Sequence, residues 1–510
     1  MYYNLKLNLT VISYLLSINL IYSQVINEET ANKLFINGNY IEAVKMYESL
    51  LKKDPGNLQF NINAGTCYLE GHLEHSKAVP FFEKVEQAGI EDPELIFLHA
   101  FSLQHALRLD EAKIKFEEYK KSPKADSELA TKHLMEVEFT KKMLSQKMDI
   151  TFERLGPNVN TEFADYYPFV SKDDNILIYT TRTNRSMGGF KEKDGYYTSD
   201  IYYSLKQEEA FIKSKSIGSL INTNYDDQCV GLSDDGNTMF IYSNKEKSSG
   251  GDIFYSNKTA KSFKKPTPVI GSVNTSSLES SASIAEDGNT LFYSSKKPGG
   301  KGELDLYMTR KLPTGEWGEP QNIEAINTKY NEDFPTLSED GRTLYFSSEG
   351  HDNMGGYDLF KSTWNPETND WSSPTNLGYP INSPANDMVI SFLGNGYQAY
   401  VSAIRPEGMG DYDIYKVTFN SMKPKTVLKL DLIDQNSEKR TDHTIYVYDK
   451  MNNEVAHANA DNSGAYMLIL TEGKYNLEIE SPEGDLVIKE LIIDNEMITQ
   501  GMSFLTITLD

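Results

Sequence analysis

One short pattern recurs about every fifty residues through the middle of the chain, and such a period holds a chain to repeated supersecondary units rather than one continuous core. Its clearest copy reads Asn327-Thr328, Glu332, Ser338-Glu339-Asp340-Gly341, Thr343-Leu344-Tyr345-Phe346-Ser347-Ser348 and Gly355-Gly356-Tyr357-Asp358-Leu359. The Asn-Thr/Ser step returns at Asn160, Asn222, Asn274, Asn327 and Asn382, and a late aspartate at Asp200, Asp252, Asp305, Asp358 and Asp413. Each unit parses into short strands. Strand A precedes an Asp-Gly turn (Asp235-Gly236, Asp287-Gly288, Asp340-Gly341), where glycine accepts the positive φ of a tight hairpin. Strand B alternates and ends near Ser-Ser, strand C begins at the late aspartate, and strand D carries Phe211, Phe263, Trp317 or Trp371. Short strands at this period are those of a propeller blade. Ile150 to Leu155 reads as a strand D with no blade before it, while Asp387 to Phe419 has no strand D of its own. Laying the first against the second closes a ring and covers its edges, so five blades are expected, with six the alternative.

The rest of the 510 residues divides around this array. Residues 1–23 carry Lys6 and then the mostly apolar run Leu9 to Tyr22, which is short for a bilayer span. They read as a secretory signal peptide cleaved near Ser23, a membrane anchor being the alternative. Residues 24–147 show helical periodicity in three units, with Ala43, Ala78 and Ala112 recurring where two helices must approach, and Pro80 expected in a first helical turn. Ser127 to Ser145 reads as a closing helix. Residues 148–420 hold the propeller, and 421–510 alternate as short strands with Gly-x-Tyr turns, an all-β sandwich. The expected fold class is thus an α-helical solenoid, a five-bladed β-propeller and a small all-β sandwich.

A net charge of -24 argues against nucleic acid, which needs clustered Lys and Arg, and favours a basic partner or plain solubility. Cys67 and Cys229 fall in different domains and read as small buried apolar residues, not a disulfide. Aligning the repeats brings Asp165, Asp227, Glu279, Glu332 and Asp387 to one position on strand A, the innermost strand of a blade. They are candidates for partner binding: five carboxylates around one mouth of the channel would attract Lys, Arg or a cation. The competing reading is that each satisfies backbone N–H groups between blades. On the helical repeats Asn61, Asn63, Gln104 and His105 are candidates for a second binding groove. Only His351 of the eight histidines lies in the propeller, and His72-Leu73-Glu74-His75 matches no zincin spacing. No elbow serine or phosphate loop is present, so no catalytic residue, metal or cofactor is assigned.

The order of parts carries a resemblance. The helical units resemble tetratricopeptide repeats, and the Ser-x-Asp-Gly, Leu-Tyr-Phe-Ser-Ser and Gly-Gly-x-Asp-Leu blocks resemble the WD40-like (PD40) propeller repeats of the TolB type. The final strands resemble carboxypeptidase regulatory-like modules. The whole is similar to cell-envelope proteins of Bacteroidetes linked with type IX secretion and gliding, which continue into an OmpA-like domain that this sequence lacks. The resemblance implies an exported periplasmic protein, associated with the outer membrane, acting as a non-enzymatic scaffold for envelope proteins. Binding of peptidoglycan fragments or other glycans by the propeller is the alternative, and a propeller hydrolase or lyase a further one.

Overall fold

A computed structural model describes residues 27–510 apart from 72, 209, 245–250, 260–261, 286–287, 339–340, 461–463, 501 and 510. The signal peptide read in residues 1–23, His72, and the aspartates of two turns, Asp287 and Asp340, lie outside the described residues. The chain separates into two compact units, Met1–Leu134 with Lys191–Tyr196, and Met135–Phe190 with Tyr197–Asp510. Among the described residues no helix is long and apolar enough to cross a membrane.

The first unit is helical. Helices span Glu28–Ile36, Tyr40–Leu51, Leu58–Glu70, Val79–Gln87, Pro93–His105 and Leu109–Lys120, and Ser127–Ser145 follows. Their starts are set by side-chain caps that satisfy otherwise orphaned N–H groups: Asn27 on Thr30, Asn39 on Glu42, Asn57 on Phe60 and Asp92 on Glu94. Pro80 sits in the first turn of its helix, where its missing N–H is harmless. Ala43, Ala78 and Ala112 are fully buried, which lets successive helices pack closely. Cys67 is buried in the same core.

The second unit is mostly β. Five antiparallel sheets follow one another. Their first strands are Asp165–Val170, Asp227–Leu232, Glu279–Ile284, Glu332–Leu337 and Ile390–Phe392. Second strands (Ile176–Thr181, Thr238–Ser243, Thr290–Ser295, Thr343–Ser348, Gln398–Ala403) and third strands (Asp200–Gln207, Asp252–Asn257, Asp305–Arg310, Asp358–Asn365, Asp413–Phe419) pair in sequence order. The turns between first and second strands place Gly236, Gly288, Gly341 and Gly396 at φ 66–69°, the left-handed region that favours glycine. In sheet one Asp174 takes that place at φ 61°.

The outer edge of sheet five is the strand Ile150–Arg154, which pairs antiparallel with Asp413–Phe419 from Ile150↔Phe419 to Arg154↔Tyr415. The beginning of the repeat region therefore completes its end. A second link runs through the repeated asparagines. Asn222 Oδ1 accepts from Ile201 N and its Nδ2 donates to Ile201 O, both at 3.0 Å. Asn274 grips Ile253, Asn327 grips Leu306 and Asn382 grips Leu359 in the same two-bond way, at 2.8–3.0 Å. Asn160, in the loop leading into sheet one, grips Ile414 of sheet five at 2.8 and 2.9 Å. Each sheet is thus tied to the one before it, and the fifth to the first.

The remaining strands form two sheets around one core. Tyr466–Thr471, Lys425–Ile433 and Met502–Thr508 make one, with the last strand parallel to its neighbour. Glu454–Asn459, Thr444–Tyr448, Gly473–Glu480 and Leu486–Ile493 make the other. Leu428, Leu430, Ile445, Val447 and Leu477 are among the side chains buried between them. The strand Glu454–Asn459 was not expected from the sequence.

Candidate functional site

The Asn-Thr/Ser step and the acid five residues after its asparagine form one local device. Thr161 N and Oγ1 both donate to Asp165 Oδ2, at 2.7 and 2.8 Å. Thr275 does the same to Glu279 and Thr328 to Glu332, while Ser383 serves Asp387. Thr223 N donates to Asp227, which also accepts from Ser243 Oγ at 2.8 Å. All five acids are buried, Asp387 being the most exposed at 7%. Burial pushes the carboxyls of Asp165, Glu332 and Asp387 up to about 7 and raises Asp227 and Glu279 as well. The late aspartate of the preceding sheet adds a like charge: Asp413 beside Asp165, Asp252 beside Glu279 and Asp305 beside Glu332. The expected anionic rim is therefore corrected. These carboxylates turn into the joints between sheets and bind backbone N–H groups, because a repeat reproduces what every joint needs.

What the repeats do not reproduce lies one residue further on. The positions directly after the acids are Tyr166, Gln228, Ser280, Asp333 and Met388, five different residue types. The structure brings several of them together. Asp333 Oδ1 of sheet four accepts from Ser280 Oγ of sheet three and from Phe334 N, both at 2.8 Å, and from Ser281 Oγ. Tyr167 OH of sheet one meets Met388 Sδ ahead of sheet five at 3.6 Å. The rings of Tyr167 and Phe334 lie 4.5 Å apart. Sheets one and four are not neighbours in the cycle, so this contact crosses its axis. Tyr166 meets Tyr167 edge to face at 4.6 Å, and its ring centre lies 6.5 Å from that of Tyr412.

Two backbone features aim these rings. Tyr167 and Phe334 hold φ 52° and 51°, the left-handed region, at irregularities in the pairing of the first strands with the second. A bulky residue held there costs about 1–3 kcal/mol and is found where the surroundings enforce it, often at functional sites. A bulge re-aims a side chain out of the normal alternation. Around the rings stand polar groups. Asp226 Oδ1 accepts from Ser199 N at 2.9 Å and Ser199 Oγ at 2.7 Å, and Gln228 Nε2 donates to Ser199 Oγ at 3.4 Å. Arg182 Nε donates to Tyr197 O at 2.7 Å. Asp333 is only 4% exposed, and burial raises its carboxyl above the usual range. Tyr166, Tyr167, Tyr412, Gln228 and Ser280 are half-buried.

The four groove candidates of the helical unit are not gathered into one groove. Asn61 Nδ2 donates to Asn57 O at 2.8 Å and Pro55 O at 3.2 Å, and Asn63 Nδ2 donates to Tyr47 OH at 2.9 Å. Asn61 and Gln104 are fully buried. Gln104 meets His133 Nδ1 at 3.2 Å, and His105 stacks edge to face on His75 with ring centres 4.4 Å apart. Their polarity serves helix packing, which is why helical spacing alone singles them out.

No family model matches the chain, and no curated protein matches it. Solved structures similar to it include a glycoside hydrolase (8% identity, 56% of this chain and 96% of that one, TM-score 0.38). Others are an endo-arabinase from Bacteroides thetaiotaomicron (14%, 53% and 98%, TM-score 0.34) and an α-L-arabinofuranosidase from Lactobacillus brevis (11%, 56% and 95%, TM-score 0.34). Several of these neighbours carry glycoside-hydrolase titles, against the expectation of a non-enzymatic scaffold, which is not carried further. At these scores the likeness transfers no activity, and the chemistry of this chain rests on its own residues. The architecture is mostly β-sheet with a helical N-terminal part, and its neighbours are propeller-like.

Proposed function

We propose that the axial cluster of the repeat sheets is a glycan-active site. The observation that carries this is the group of non-repeating residues at the start of the first strands. Tyr166, Tyr167, Phe334 and Tyr412 offer ring faces and edges, while Asp333, Gln228, Ser280 and Asp226 offer hydrogen-bonding groups beside them. A saccharide presents both an apolar C–H face and a rim of hydroxyls, and a site of converging aromatic and polar groups suits it. Burial raises the Asp333 carboxyl above its usual range, the direction that a proton donor needs.

Finer readings go with this one. The five sheets and their cyclic asparagine clamps support a closed five-bladed propeller of the WD40-like type. The paired helices with buried alanines support tetratricopeptide-type repeats, and the two final sheets a regulatory-like sandwich. Export to the periplasm belongs to the same reading, because wall and polymeric glycans lie outside the cytoplasm.

The test is calorimetric titration of the full chain with arabinan and peptidoglycan oligosaccharides, followed by assay for released reducing ends. Saturable binding to one of them is expected, weakened about tenfold or more by Tyr167→Ala through lost ring contact. Asp333→Asn is expected to retain binding and lose cleavage. A folded chain that binds none of them, or binds equally well with Tyr167→Ala, overturns the proposal.

A further inference from the structure

The strand Leu486–Ile493 ends the second sheet of the C-terminal sandwich. It pairs with Gly473–Glu480 in an unbroken antiparallel register, from Gly473↔Ile493 to Glu480↔Leu486, and among the described residues no strand pairs with its other side. Every second residue of such a strand turns its N–H and C=O away from its neighbour, an open template for another chain. Sheet edges are often blunted by a proline, a bulge or a very short strand, and this strand of 8 residues has none of the three.

Its side chains supply the second observation. Val487, Leu491 and Ile493 pack on the sandwich core, so by alternation Leu486, Ile488, Glu490 and Ile492 face outward. Leu486, Ile488 and Ile492 are 57%, 64% and 51% exposed, an aliphatic ridge along the open edge. The neighbouring strand sets Glu480, Glu478, Asn476 and Lys474 beside these four, in that order. Lys474 Nζ lies 3.8 Å from Glu490, so the carboxylates of Glu478, Glu480 and Glu490 stand against one ammonium and leave the ridge with an anionic border.

A second copy of the chain fits this edge poorly. Two such strands paired antiparallel about a two-fold keep their faces only in registers centred on a residue. The two registers that pair most of the strand set Lys489 opposite Lys489 or Glu490 opposite Glu490, and like charges directly opposite are destabilising.

We propose that this edge takes up an extended segment of another protein as an added strand, one that alternates aliphatic residues with Lys or Arg on its outward face. The backbone ladder supplies affinity and the side chains choose the partner. Ile488 and Ile492 meet its aliphatic residues, and Glu490 and Glu478 draw its basic ones.

The probe is a fluorescein-labelled peptide with blocked ends, Thr-Val-Thr-Lys-Thr-Val-Thr-Lys, whose valines and lysines share one face. A second peptide carries glutamate in place of lysine. Two further forms of the first are N-methylated, one at the valines and lysines and the other at the threonines, so that each blocks one edge of its ladder. Fluorescence anisotropy with the full chain is expected to show saturable binding of the lysine peptide, and binding of the glutamate peptide weaker by about tenfold or more. One N-methylated form keeps its affinity and the other loses it, which strand addition requires and loose apolar contact does not. Ile488→Lys, at an outward position the core does not use, is expected to weaken the lysine peptide about tenfold or more, and Glu490→Lys to reverse the preference between the two peptides. No saturable binding of the lysine peptide, equal behaviour of the two N-methylated forms, or affinity unchanged in Ile488→Lys overturns the proposal. So does a dimer of the full chain, seen by sedimentation, that Ile488→Lys dissociates, because it gives the edge to a second copy.

Discussion

Residue by residue, the repeat region separates side chains that hold the sheets together from those that differ between them. The carboxylates of Asp165, Glu332 and Asp387, pushed up to about 7 by burial, belong to the first group. In an unfolded chain they would titrate near about 4. The folded protein therefore binds more protons between about pH 4 and 7, so their contribution to stability is full below that window and lost as pH rises through it. The urea midpoint of the second unit is expected to be higher at pH 5.5 than at pH 8, and Asp165→Asn to flatten that dependence. A midpoint that rises with pH, or a slope unchanged in Asp165→Asn, contradicts this. The five acids were legible in the sequence because they recur, and recurrence is also what marks them as structural. Tyr166, Tyr167, Gln228, Ser280 and Asp333 were not picked out for the opposite reason. Their sign is variation at a fixed place in a repeat, together with positive φ at Tyr167 and Phe334 that no residue type announces.

At the scale of elements, strand order and turn positions followed from the Asp-Gly turns and the late aspartates, while the joints between sheets did not. The joints rest on side chain to backbone bonds across some 21 residues within the repeats and 254 at the closure, distances a periodic pattern does not report. Asn160→Ala leaves the N–H of the fully buried Ile414 without its partner, while Ile414 O keeps the bond from Leu155 N. A loss of about 1–3 kcal/mol is expected by urea denaturation, with a similar loss for Asn274→Ala. Gly231 marks another joint. A Cβ there would lie 1.9 Å from Ala282 O of the next sheet, and the obstacle is backbone. Gly231→Ala is therefore expected to destabilise more than either asparagine variant, whereas Gly288→Ala, with open space around it, is limited to the strain of its φ of 66°. Equal effects of the two glycine substitutions would show that sheets two and three do not approach so closely. The helices were legible from their periodicity and the recurring alanines. The groove on them was not, since polar residues at helical spacing serve packing and binding alike.

For the molecule as a whole, the site depends on the ring being closed. Tyr167 and Phe334 meet only if sheets one and four face each other across an axis, and that requires the chain segment before sheet one to finish sheet five. Thr151 and Thr418 are opposite one another in this pairing, and adjacent antiparallel strands hold such residues about 5.5 Å apart, within the span of a disulfide. The decisive measurement is oxidation of the double variant Thr151→Cys, Thr418→Cys, read by mobility on a non-reducing gel and by thermal unfolding, beside Thr151→Cys paired with Thr290→Cys on sheet three. A closed ring gives a near-quantitative cross-link and a higher Tm for the first pair and no cross-link for the second. An open array gives no cross-link in either, and would leave the axial cluster without the geometry on which the glycan site is built.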